Sequence, residues 1–173
     1  MKTLALFFVC LLCRAFIAAH AGHDHNEALH AQQWIQWIGS FHFVFLHFPI
    51  AVIYLLVFSE ALLAWQKTAY FESISHFSIT CGAIFTPLTA LLGLIYSYSS
   101  QYTGSMEIFL LVHMCLGLLA AILIVYLAIY RKEKGPTAVY YAFLILLFLM
   151  VNVASFFGGA LTFGLNNILP PGF

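Results

Sequence analysis

The stretch FHFVFLHFPIAVIYLLVFSEALLAW, Phe41 to Trp65, decides the fold. Within it Glu60 is the only charged residue, and His42 and His47 are the only imidazoles. A hydrocarbon core takes about 20 helical residues, and this run is longer than that. Inside lipid each backbone N–H and C=O needs an internal partner, so the run must be a helix. Three more such runs follow: Ser75 to Tyr98, Glu107 to Tyr130 and Ala138 to Thr162. Short connections between them predict an all-α, integral membrane four-helix bundle with up-down-up-down topology.

Composition agrees. The chain has 173 residues, of which 64% are hydrophobic and 7% charged, and its mean hydropathy is +1.00. A soluble domain carries roughly a quarter charged residues. The formal net charge is zero, which argues against nucleic acid as a partner. No nucleophile with its base and no phosphate loop suggests hydrolysis or group transfer.

Residues 1–21 read as a signal peptide. Lys2 begins it, Leu4 to Leu12 form the apolar stretch, and Ala19-His20-Ala21 fits the small-x-small cleavage pattern. Residues 22–40 then form a His-rich segment outside the cytoplasm. Within it, Asn26 caps a short interfacial helix anchored by Trp34 and Trp37. Residues 41–164 form the transmembrane domain, and 165–173 the C-terminal tail. Lys67 lies in the first connection, and Arg131, Lys132 and Lys134 in the third, while the second has no Lys or Arg. The positive-inside rule puts the first and third connections in the cytoplasm. Both mature termini then face the periplasm of a bacterial inner membrane, and the lipid bilayer is the first partner. Cys81 and Cys115 fall at different depths on antiparallel helices, so no disulfide is expected between them.

The candidate site consists of two intramembrane histidines. His47 lies six residues past Phe41, and His113 six past Glu107. Both spans run from outside to inside, so the two imidazoles should lie at one depth, about 9 Å below the outer boundary. Ionisable side chains at such depth usually face a cavity, a partner or a cofactor. Reaching across the bundle diagonal, the pair is placed to hold one b-type haem near the periplasmic face. Gly117, one turn below His113, would leave room for the ring, and Tyr54, below His47, would donate a hydrogen bond. His42 points about 140° away from His47 on a helix and is expected at headgroup level, where it could bond a cofactor carboxylate, bind a metal or serve as ordinary interfacial polarity. The other reading is that each histidine bonds a backbone carbonyl or a polar neighbour such as Asn152 or Ser155.

Other polar residues have plainer expectations. Gly82, Thr86 and Ala90, and separately Ser155 and Gly159, form small-residue stripes suited to close helix packing. Glu60 is expected to snorkel at the inner interface. His23, His25 and His30 offer weak ligands for copper or another metal. This supports two alternatives to haem: metal handling on the periplasmic side, and an accessory scaffold whose histidines only lock helices.

The stretch IGSFHFVFLHFPIA, Ile38 to Ala51, resembles a bacterial membrane family, the domain of unknown function family 2231. Its members show Phe-His-Pro and then Val-His-Phe-Pro-Ile. His42 and His47 fall on that family's two histidines, and Pro49 on its proline. VHMCLG, Val112 to Gly117, is similar to the family's His-Arg-x-x-Gly, and GGALTFG, Gly158 to Gly164, to its Gly-Gly-x-Leu-Thr-His-Gly. Ser40 and Met114 stand where many members have arginine, Phe43 replaces a proline and Phe163 a histidine. Relatives are often joined to cytochrome-c-like or Rieske-like domains. The resemblance therefore implies electron transfer with a periplasmic cytochrome or a membrane redox partner. The missing arginines leave Ser40, His42, Gln101 and Tyr102 to meet any haem carboxylates.

Overall fold

The computed structural model describes residues 25–98 and 102–165. The expected signal peptide (1–21), His23, Gln101 and residues 166–173 of the tail lie outside the described residues. Among the described residues five helices occur in order: α1 (His25–Phe45), α2 (His47–Gln66), α3 (Ala69–Ser97), α4 (Ser105–Lys134) and α5 (Ala138–Phe163). Four stretches among them are long and apolar enough to cross a membrane, beginning with Gln32–Gln66, which joins α1 to α2.

The expected short interfacial helix is not separate. Its residues continue without a break into the first span as α1. Helical bonding is interrupted instead at Leu46, inside the run quoted above. Pro49 explains the position. It has no N–H to give the Phe45 carbonyl, and its ring crowds that carbonyl. Leu46 still donates to His42 O at 2.8 Å, so the axis carries on through the break. Turns elsewhere are tight. Lys67 ends α2 in the left-handed conformation, φ 52°, donating its N–H to Leu63 O. Thr137 caps α5 by accepting from the Tyr140 N–H.

Consecutive spans pack side by side, α2 on α3, α3 on α4 and α4 on α5, and α1 also packs on α3. The backbones of α2 and α5 approach at few points, and that of α1 approaches neither α4 nor α5. Backbones are therefore close around three sides of the bundle, and side chains span the fourth, among them Tyr54 with Asn152 and Phe148. Burial follows a spacing of alternating three and four residues. On the first span the inward stripe is Gly39, His42, Leu46, Pro49, Ile53, Leu56 and Glu60; on α4 it is Leu110, His113, Gly117, Ala120, Ile124, Leu127 and Arg131. That is the seam of a left-handed bundle.

Lipid is as apolar as leucine, so close approach and hydrogen bonds hold the spans together more than hydrophobic burial does. Gly39 shows the closest approach. A Cβ there would lie 2.5 Å from the Tyr96 Cα. Gly82 packs on Ile124, whose Cγ1 is 3.2 Å from where a Cβ would stand, in keeping with the stripe expected on the second span. The stripe expected on the fourth span does not pack: Ser155 is exposed, and a Cβ at Gly159 would meet nothing within 4 Å. Cys81 and Cys115 form no disulfide.

At the end of the bundle that carries the lysines, Glu60 is 1% exposed and does not snorkel. Its carboxylate pairs with Arg131, which is 4% exposed in the last turns of α4 instead of lying in a connection. Ser75 of α3 donates to the same carboxylate oxygen, as does the Tyr140 hydroxyl of α5 at 2.9 Å. One buried network thus joins all four spans. A lone carboxylate or guanidinium would be expensive there, and pairing is the physical reason that both stay inside.

Candidate functional site: two imidazoles over an apolar cavity

The opposite end of the bundle holds a cavity of about 410 Å³. Its lining includes no Asp, Glu, Lys or Arg. His42 of α1 and His113 of α4 meet in it with ring centroids 6.1 Å apart and planes at 85°. The backbones of the helices that carry them do not approach each other, and the imidazoles reach across the interior between them.

Each ring is fixed in the same way. His42 Nδ1 donates to the Thr89 carbonyl of α3 at 2.8 Å. His113 Nδ1 donates to the Ala154 carbonyl of α5, also at 2.8 Å. A carbonyl oxygen only accepts, so Nδ1 carries the proton in both. In a neutral imidazole this leaves Nε2 with its lone pair, the form that binds a metal. Metal-ligating histidines commonly have such a carbonyl partner behind them, fixing tautomer and ring orientation. Two glycines seat the rings. A Cβ at Gly93 would come within 2.9 Å of His42 Cε1 and Nδ1, and one at Gly158 within 2.9 Å of His113 Cε1.

Of the expected pair, His47 is exposed and lines the same cavity as His113, with no ring contact between the two among the described residues. His42, five residues earlier, takes the inward position. One helical face cannot present both, because they point about 140° apart. Tyr54 is likewise displaced. It lies outside the cavity, exposed, with its hydroxyl donating to Asn152 Oδ1 and its ring against Phe148 at 4.9 Å. Gly117 does line the cavity, and a Cβ there would meet nothing within 4 Å.

The polar neighbours offered as partners, Asn152 and Ser155, do not bond the inward histidines; backbone carbonyls do. Ser40 turns back on its own helix and donates to Trp37 O at 2.7 Å. His25 and His30 fall within α1, and no group of three or more His, Cys, Asp or Glu could hold a metal ion among the described residues. Thr86, not singled out as a site residue from the sequence, lines the cavity, is 8% exposed, and has no partner for Oγ1 among the described residues.

Two protein ligands, each backed by a carbonyl, beside an apolar space can do one of two things. The 6.1 Å spacing suits a direct edge-to-face ring contact. It also suits one ion between the rings, since a metal–nitrogen bond of about 2 Å on each side sets the centroids about 6 Å apart. With only two protein ligands, such an ion has most of its coordination sphere left to fill, and a macrocycle that carries its own four donors fills it.

Comparison with known proteins gives one match. Residues 39–166 match a family model, DUF2231, described as a predicted membrane protein. No curated protein and no solved structure matches.

Proposed function

We propose that this chain, which belongs to the DUF2231 family of predicted membrane proteins, binds one b-type haem through Nε2 of His42 and His113 and serves in electron transfer. One observation carries the reading: two imidazoles on helices whose backbones stay apart, both held by Nδ1 on backbone carbonyls and both lining one apolar cavity. When bound, the iron supplies one-electron redox chemistry. The chain's own residues supply the rest. Thr89 O and Ala154 O fix the ring tautomers. Gly93 and Gly158 let the rings lie flat against α3 and α5. Gly117 and Gly159 leave space, and the apolar wall excludes water. Ser97 and Thr162 also line the cavity, each donating its hydroxyl proton to a carbonyl of its own helix, Leu94 O at 2.7 Å and Gly158 O at 2.9 Å.

The orientation that goes with this reading puts the cavity near the periplasmic face of a bacterial inner membrane. Lys67, Lys132 and Lys134 gather at the other end, which the positive-inside rule assigns to the cytoplasm. A periplasmic cytochrome or a membrane redox protein is then the partner within reach.

The test is a visible spectrum of the protein purified in mild detergent. A Soret band is expected, lost in His42→Ala and in His113→Ala and kept in His47→Ala. Colourless protein enriched in copper would replace haem with a bare ion between the same rings. Colourless, metal-free protein would leave the histidines as locks between helices. Either result overturns the proposal.

A further inference from the structure

We propose that the side opening of the cavity takes a lipid-soluble quinone or hydroquinone, with His47 as its hydrogen-bonding contact. The inference rests on the haem reading above, because a neighbouring redox centre is what selects a redox-active ring as the occupant.

His47 is otherwise hard to account for. It is exposed, and no hydrogen bond to it is formed among the described residues. The next residue, Phe48, packs on Phe85 with ring centroids 4.4 Å apart. Phe85 lies near the middle of the 29-residue α3, so His47 lies well inside the span and not at its end. An ionisable side chain facing hydrocarbon at that depth is costly and marks a ligand or pathway by default.

The place of His47 narrows the choice. It lines the same cavity as His42 and His113, so whatever satisfies it reaches from lipid into that space. Backbones are widely spaced on this side, since α1 does not approach α5 and α2 approaches it at few points, and His47 and Ser155, both exposed, line the cavity from α2 and α5. A second polar atom waits inside. Thr86 lines the cavity at 8% exposure with its Oγ1 unpartnered among the described residues. A phospholipid chain has no polar atom for either group. A flat ring with oxygens at opposite ends fits an apolar slot with one polar contact at its mouth and one within. His47 donates to a quinone carbonyl or accepts from a hydroquinone hydroxyl, and neutral imidazole can do both.

The experiment uses the purified full chain in lipid nanodiscs with an azido-benzoquinone photolabel and decylubiquinone as competitor. Labelling of wild type is expected to saturate, to be competed away, and to map to residues 43–50 or 151–159. His47→Ala should weaken competition about fivefold, the loss of one hydrogen bond. His47→Gln, which keeps a donor and an acceptor, should restore most of it. His47 packs against nothing in the core, so folding should be undisturbed, and the wild-type map stands without any variant. Labelling that does not saturate, maps elsewhere or ignores His47→Ala overturns the proposal; a lipid-filled opening would give the first. The Soret band is read from the same samples. Its absence in wild type overturns the haem reading, while the labelling map still decides the quinone site.

Discussion

Each imidazole at this site has two nitrogens, and the fate of Nδ1 decides what Nε2 can hold. Because both Nδ1 atoms donate to carbonyls, ring position depends on how closely α3 and α5 approach. Gly93→Ala and Gly158→Ala put a methyl 2.9 Å from a ring atom, a contact that must be relieved by moving the ring. Each should lower haem content in a visible spectrum while expression and helicity hold. Gly117→Ala adds a methyl that meets nothing within 4 Å in the chain and only narrows the space left for the macrocycle, so it should lower haem content less than the other two. Equal effects from all three would mean that the glycines do not seat the rings. The sequence already held the information that separates His42 from His47. Glu60, Leu56, Ile53, Pro49 and Gly39 are all buried, and counting back from Glu60 in steps of four and three lands on His42. Depth alone cannot make that distinction, because it matches residues by level and ignores the face they occupy.

A helix boundary depends on backbone donors, and Pro49 removes one. The spans were legible as apolar runs because lipid allows few alternatives to helix. Their ends were less so. The polar Gln32, Gln33 and Gln36 suggest a separate interfacial segment, but backbone bonding continues through them as α1. Nothing in hydropathy reports that the interruption falls at Leu46, within the most apolar part. Pro49→Ala restores a donor for the Phe45 carbonyl, and because Pro49 stands in the first turn of α2, where proline is tolerated, the gain in stability should be small. The variant should be at least as stable to heat as wild type, yet bind less haem, because regular bonding through the junction shifts α1 and His42 relative to α2. Full haem content with a wild-type spectrum would show that the break does not position His42.

Across the whole molecule the two polar sites have opposite characters. At the histidine end backbones are widely spaced along one side, whereas the lysine end is closed by a network that draws on α2, α3, α4 and α5. Arg131 looked like a connection residue because it adjoins Lys132 and Lys134. Its burial depends on Glu60, which is 71 positions away in sequence, and only the fold brings the two together. The inside-positive bias therefore rests on Lys67, Lys132 and Lys134, with Arg131 engaged internally. Glu60→Gln leaves a guanidinium buried without its counter-charge, and Arg131→Met leaves a carboxylate so. Breaking a buried pair from one side costs about 3–5 kcal/mol, whereas replacing both partners by apolar groups is often neutral. Each single variant should therefore lower the thermal midpoint in detergent, and Glu60→Leu with Arg131→Met together should recover most of the loss. The double variant should also keep its Soret band. Glu60 is 18 residues from His42 on the same span, about 27 Å along the axis, beyond the reach of local repacking. Single variants as stable as wild type would mean that the charge pair does not close this end. A double variant that is stable but colourless would mean that the two ends are coupled, and that the lock helps to hold the cavity open.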